Sequence, residues 1–407
     1  MTRWNRVQFI TKSTQGDGMT LEAYSGHRIL MVVSEAPPIK SGVGKVIGEL
    51  KTGLELKGHR VDILSSLDIP RYSFGEIRLS TLIFHWLRLR HLLNQYDLIN
   101  IHAPAPTFAD FFLILASRFG FVRRQKLVLT YHCEIDLPGR LLQPLTRLYS
   151  SWHKRLANLA THTIVTTPSY AKMFSGIVPE GRLSVIAWGV NEGVLHTNVT
   201  QKTEQRFQIA FVGQLRPYKG LDVLLHAMAG LPSVHLSIIG NGHHAESYRQ
   251  LASDLALSNV SFLGAVSDEE LQRVLKEAHA LVLPSRTRAE AFGIVLVEAM
   301  AAGCVPIASN LPGVCDVVGH AGFTFPVGDS EALMKLLDRL AQDPALVQKY
   351  AAIAQSQAHY YTWQRCIDAH DQVFRSLIAE QTTSTVQKPI EIGYQPRPKM
   401  LRVPASG

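Results

Sequence analysis

Short, nearly continuous apolar runs alternate with segments of helical periodicity along most of the chain. In the first half the apolar runs fall at 28–34, 60–65, 98–102, 126–131, 163–167 and 183–186. Runs that are apolar on both faces predict parallel strands covered by helices on either side, not strands with one wet face. A second series follows at 209–213, 234–240, 260–263, 280–284, 305–309 and 322–325, with helices predicted at 220–229, 245–256 and 268–277. Further helices are predicted at 331–340, 344–357 and 363–378. The polar stretch 197–205 separates the two series and reads as a linker. The pattern predicts two doubly wound α/β domains, 27–196 and 206–362. A final helix, 363–380, follows the second domain. In such sheets ligands sit at the carboxyl ends of the strands, so a shared ligand belongs in the cleft between the domains. Residues 1–26 read as a flexible N-terminal extension and 381–407, rich in Pro, Ser, Thr and basic residues, as a disordered tail.

Composition narrows the class. A chain of 407 residues, 46% hydrophobic and 18% charged, has the size and balance of a two-domain globular protein. Its four cysteines, Cys133, Cys304, Cys315 and Cys366, lack metal-type spacing and are expected to be reduced thiols of a cytoplasmic protein. The N-terminus has basic residues but no apolar core or cleavage site of a signal peptide. The best mimic of a membrane span, 291–308, contains Glu298, Gly303 and Pro306 and is rejected. Net charge is +8, with the excess gathered in the first half. No helix-turn-helix, zinc or aromatic-platform signature supports nucleic acid as its partner. The segment 82–93 (LIFHWLRLRHLL) mixes apolar, Trp and Arg residues as interfacial helices do. Two readings stand there: peripheral contact with an anionic membrane, or a solvated basic face over a packed helix.

The candidate chemistry centres on two carboxylates. Glu290 and Glu298 stand eight positions apart in an otherwise apolar segment that follows a predicted strand. A buried carboxylate is costly without a partner, and sugar hydroxyls are suitable partners. Gly293 and Ile294 would open a helix there, where free amides and the positive dipole end favour phosphate. Ser41-Gly42-Val43-Gly44-Lys45 follows the first strand, though its spacing fits neither the dinucleotide fingerprint nor a P-loop. Gly213-Gln214-Leu215-Arg216-Pro217-Tyr218-Lys219-Gly220 joins a glycine turn to two cations, which suits a diphosphate. Gly240-Asn241-Gly242 is another strand-end turn. His132 ends the fourth strand facing the expected cleft, and His102 is similarly placed but reads as structural or acceptor-side.

In this order the pieces resemble the retaining GT-B glycosyltransferases of glycosyltransferase family 4, over roughly residues 28–377. The Glu290/Glu298 segment with Phe292-Gly293, the VGQLRPYKG stretch, Ala187-Trp188-Gly189-Val190 and Trp363 opening a last helix carry the resemblance. It implies two Rossmann-like domains facing across a cleft, with the last helix crossing back to the first domain. It implies that Glu290 faces the donor sugar, that Glu298 holds the ribose, and that Phe292, Gly293 and Ile294 border the sugar and diphosphate. Lys219 matches a diphosphate-binding lysine, while Gln214 stands where the family usually has arginine, a role Arg216 could take. Gly42 and Val43 match the first-domain loop over the donor, and His132 matches a histidine that touches the transferring sugar. Gly213, Gly240, Asn241 and Leu263 would border the nucleotide.

The implied reaction moves a hexose from a nucleoside diphosphate sugar, of UDP or GDP type, to a saccharide or lipid-linked acceptor with retention. No cofactor or metal is expected, because Lys219, Arg216 and helix amides would neutralise the leaving group. Two other readings stand beside it: a nucleotide-sugar epimerase on a similar fold, and a non-catalytic sugar-nucleotide-binding subunit.

Overall fold

A computed structural model describes residues 26–34, 42–69, 71–74, 77–82, 86, 89, 93–118, 126–135, 143–191, 195 and 206–379. The expected N-terminal extension (apart from Gly26), the linker 197–205 and the tail 381–407 lie outside the described residues.

The first domain contains strands β1 Arg28–Val33, β2 Arg60–Ser65, β3 Arg71–Phe74, β4 Ile77–Ser80, β5 Leu98–Ala103, β6 Lys126–Tyr131, β7 His162–Val165 and β8 Leu183–Val185. Its helices are α1 Gly42–Leu56, α2 Ala109–Arg118, α3 Gln143–Leu156 and α4 Pro168–Phe174. The second domain has β9 Gln208–Val212, β10 His235–Ile239, β11 Val260–Gly264, β12 Ala280–Leu283, β13 Val305–Ser309 and β14 Phe323–Phe325. Its helices are α5 Leu221–Met228, α6 Ala245–Asp254, α7 Asp268–Glu277, α8 Ile294–Ala301, α9 Val314–Val318, α10 Ser330–Gln342 and α11 Pro344–Ala358. The chain's last described helix is α12 Trp363–Ala379.

The strands form two six-stranded sheets, ordered β2-β1-β5-β6-β7-β8 and β11-β10-β9-β12-β13-β14, with parallel pairing between all neighbours. Chain order reverses between β1 and β5 in the first sheet and between β9 and β12 in the second, and ligands enter such sheets at these points. Central strands such as β5 (LINIHA) and β12 (ALVL) are buried along their whole length, which accounts for their continuous apolar runs. An antiparallel hairpin, β3 with β4, was not expected: each arm is four residues of simple alternation, too short to stand out from loop.

The last helix crosses onto the first domain. Ile367 of α12 lies where Gly53 of α1 has no side chain; a Cβ at Gly53 would sit 2.1 Å from its Cδ1. Lys57 Nζ meets Asp368 at 2.6 Å and His59 Nε2 meets Asp371 at 2.6 Å. Gly189 is required for the same crossing, since a Cβ there would fall 2.1 Å from the Thr362 carbonyl carbon.

The described residues of the 82–93 segment pack inward. Leu82, Trp86, Leu89 and Leu93 are all buried in the first-domain core, at the spacing of one helical stripe. Trp86 stands edge-on to Phe112, 5.6 Å between ring centroids. These four apolar residues are therefore consumed by the core. The four cysteines are free thiols, as expected, and among the described residues no helix is long and apolar enough to cross a membrane.

Candidate functional site

The second-domain wall is built at the reversal between β9 and β12. Gly213 N donates to Ile239 O (3.0 Å), Gly240 N to Gly264 O (2.7 Å) and Leu215 N to Asn241 O (3.0 Å), stitching three strand-end turns into one ledge. Only glycine fits at Gly240, where φ is 134° and a Cβ would lie 1.9 Å from Gly213 O. Leu263, 40% exposed, and the exposed Asn241 belong to this ledge. Lys219 ends a single 3-10 turn, Pro217–Lys219, closed by Gly220 at φ 68°. A Cβ at Gly220 would sit 2.0 Å from Pro284 O, so the turn lies hard against the end of β12.

That contact brings Lys219 to Glu290, and the two side chains form a short ion pair with only 13% and 12% of their surfaces exposed. Burial pulls the Lys219 ammonium toward neutrality. The Glu290 charge and hydrogen bond more than offset this, so the pKa is raised and the lysine stays charged. Gln214 and Arg216 stand exposed at the rim, close enough for the Arg216 charge to act on Lys219. Beyond Glu290, Phe292 is buried and Gly293, at φ 70°, caps the start of α8, leaving the Ile294 side chain partly buried beside the first free amides. Glu298 is the fifth residue of α8, a little over one turn inside it where two turns were expected, and is 8% exposed. Its partner is Lys45 of α1, Nζ to Oε1 2.6 Å. Gly42 and Val43 open that same helix, which places the expected first-domain loop beside the second-domain carboxylate.

At the ends of β5 and β6 the first-domain wall is neutral. Thr130 Oγ1 donates to Asn100 Oδ1 (2.8 Å), Asn100 Nδ2 meets His102 Nε2 (3.1 Å), and His102 Nδ1 meets His132 Nε2 (2.8 Å). The hydroxyl can only satisfy the amide by donating to Oδ1, so Nδ2 donates to His102 Nε2 and His102 carries its proton on Nδ1. His132 Nε2 is then the acceptor and Nδ1–H the donor. That Nδ1 is buried and lacks a hydrogen-bond partner among the described residues. Burial lowers the His132 pKa to about 3 and holds His102 well below the ordinary histidine value, so both rings are uncharged. His102 stacks on His132, with 5.0 Å between ring centroids.

Both walls close on Trp188: its ring lies 5.2 Å from His132 and 5.3 Å from Phe292. Glu134 N and Tyr170 OH both donate to Arg288 O, at 3.2 and 2.9 Å, and Ser169 holds Asp316 through N (2.7 Å) and Oγ (2.9 Å). Sequence reasoning missed the Lys45–Glu298 pair, which spans 253 positions and leaves no local signal. It also missed Asn100, although a polar residue inside the run Leu98–Ala103 was a visible demand for a buried partner.

Two parallel six-stranded sheets facing across a cleft, tied by a returning final helix, form the GT-B architecture of glycosyltransferases. The chain belongs to that class by sequence as well: residues 40–193 match the family described as Glycosyltransferase Family 4, and residues 196–357 match Glycosyl transferases group 1. A D-rhamnosyltransferase of Pseudomonas aeruginosa is 30% identical over 282 residues, 66% of this chain and 70% of its own length. Sucrose-phosphate synthase of Thermosynechococcus elongatus superposes with TM-score 0.71 at 20% identity, covering 87% of this chain and 99% of its own. Anabaena HepE, solved with UDP, superposes with TM-score 0.65 at 21% identity, covering 86% of this chain and 100% of its own.

Proposed function

We propose that this glycosyltransferase moves a hexose from a nucleoside diphosphate sugar, of UDP or GDP type, to an acceptor hydroxyl with retention at the anomeric carbon. One observation carries the reading: the buried Lys219–Glu290 pair at the second-sheet reversal lies across the cleft from a neutral histidine whose Nδ1–H has no partner among the described residues. Lys219 and the first amides of α8 take the diphosphate, and Glu290 accepts from the sugar hydroxyls. Glu298 turns from Lys45 to the ribose, and His132 donates to a sugar oxygen. The acceptor oxygen attacks the anomeric carbon on the face from which the diphosphate leaves. The glycosidic C–O bond forms as the carbon–phosphate-oxygen bond breaks, and the acceptor proton passes to the departing diphosphate. No protein nucleophile and no metal take part. Anabaena HepE, which binds UDP, supports the donor class.

The test incubates the full-length protein with UDP- and GDP-hexoses and a saccharide acceptor and follows the anomeric protons by NMR. Retained product is expected, lost in Glu290→Ala; inverted product overturns the mechanism, and an altered sugar nucleotide without acceptor transfer indicates an epimerase.

The protein works at the cytoplasmic membrane face, through α3. The outer side of α3 exposes Leu145 (54%), Leu148 (68%) and Trp152 (41%), flanked by exposed Arg147 and Arg155, which suits an anionic bilayer. Sedimentation with phosphatidylglycerol vesicles is expected to weaken several-fold in Leu148→Ser/Trp152→Ser; unchanged sedimentation would remove this surface from the account.

A further inference from the structure

A second cavity, of about 570 Å³, opens beside the cleft between α3 and the loop that leads into Glu290. Four cations line it, Arg147, Lys154, Arg286 and Arg288, together with the hydroxyls of Ser150 and Thr287. Glu134 is its carboxylate, shared by Lys154 at 2.9 Å and Arg288 at 3.4 Å. Arg286 pairs outside the cavity with Asp222. Arg147 has no carboxylate partner among the described residues. Among the described residues, four cations against two carboxylates leave two positive charges uncompensated.

A neutral saccharide has no use for that excess. Arginine forks and hydroxyls together match the oxygens of a phosphate, which accepts several charge-assisted hydrogen bonds at once. The cavity is not the donor's diphosphate site, because neither the Gly213–Gly220 turn nor α8 contributes to its lining. It lies one residue from the transferring end of that site, since Ala289 lines the cavity and Glu290 follows it. Its wall is also held in place: Arg288 O accepts from both Glu134 N and Tyr170 OH, so the arginine side chain springs from a fixed backbone.

We propose that this cavity seats a phosphate group carried by the acceptor, which is therefore a phosphate ester whose hydroxyl lies within one residue's reach of Glu290. The proposal rests on the transferase reading and names the acceptor class of the same cleft. Arg147 and Arg288 grip the phosphate, Lys154 leaves Glu134 to join them, and Ser150 and Thr287 complete the oxygen contacts. The same helix that supplies Arg147 and Lys154 to the cavity presents Trp152 on its outer side, so a lipid-borne phosphate and a soluble one can both reach it.

The experiment uses the full chain carrying Lys219→Ala, which silences the donor's diphosphate site, and glycerol 3-phosphate as the probe. The melting temperature is expected to rise with probe concentration, and the rise to disappear when Arg147→Gln and Arg288→Gln are added. Both arginines are exposed side chains, so the variant is expected to fold, and an unchanged starting melting temperature verifies it. A second arm sediments the protein with phosphatidylcholine vesicles with and without phosphatidylinositol. A preference for phosphatidylinositol that falls about tenfold in the double arginine variant supports a lipid-borne phosphate. Loss confined to the soluble arm supports a soluble phosphate ester. No shift with glycerol 3-phosphate, or a shift that survives loss of both arginines, overturns the proposal. Failure of the donor reading shows separately, as a nucleotide-induced shift that Lys219→Ala leaves intact.

Discussion

The second-domain wall of the cleft keeps a charged pair, Lys219 with Glu290, whereas the first-domain wall sets two uncharged histidines, His102 and His132, against it. Both walls are buried, and burial alone would discharge Lys219 as it does the two histidines. Lys219 stays an ammonium because Glu290 stands against it, while His132 has only a neutral neighbour and becomes a fixed dipole. The difference fits the two ends of a nucleotide sugar. A diphosphate needs cations whose strength does not vary with solvent, and a sugar ring needs a donor that will not protonate it. One half of the site is therefore electrostatic and the other directional.

Lys219→Ala attacks the electrostatic half and has the largest expected effect. Transfer should fall by about 10²–10³-fold, the loss typical when one fixed stabiliser of developing charge is removed. Steady-state turnover measures it, and a change under threefold would mean that Arg216 or the α8 amides bear the leaving group alone. The directional half is more lightly broken by Asn100→Leu, which removes the group that sets the His102 tautomer. A decrease of about tenfold is expected, with an acid limb appearing in the pH–rate profile as the histidine pair becomes free to protonate. A purely structural role for Asn100 would lower stability without reshaping that profile.

The histidines also bear on stability. His102 lies well below its ordinary value, His132 is lowered to about 3, and His162 and His370 to about 4, in each case first by burial. A folded pKa below the unfolded 6.5 means that the unfolded chain binds protons first as pH falls. Their contribution is complete above pH 6.5 and is lost progressively as pH falls, down to about 4 for His162 and His370 and to about 3 for His132, at up to roughly 1.4 kcal/mol per pH unit for each group. The melting temperature should therefore drop between pH 7 and pH 5, and a flat profile there would show that these rings protonate as readily in the fold as in the unfolded chain.

Legibility in the sequence followed the physics of each feature. Strands buried on both faces announce themselves as apolar runs, and twelve strands of the two sheets lie where those runs lie. Glu290 and Glu298 stood out because a carboxylate in an apolar segment is expensive. The histidine relay did not, because Asn100 and Thr130 sit thirty positions apart and meet only through the β5–β6 register. Trp and Arg in 82–93 looked alike for an interfacial helix and a packed one, and only burial of Trp86 decided between them. The converse holds for α3, where Leu145, Leu148 and Trp152 have the spacing of a core stripe yet face outward.

The central claim, that Lys219 and Glu290 form the phosphate side of a nucleotide-sugar site, is tested most directly by thermal shift against UDP, GDP and ADP. A ligand that binds only the native state raises the melting temperature. The account predicts that UDP or GDP stabilises the wild-type protein and that the shift is lost in Lys219→Ala. An equal shift in both proteins would contradict it.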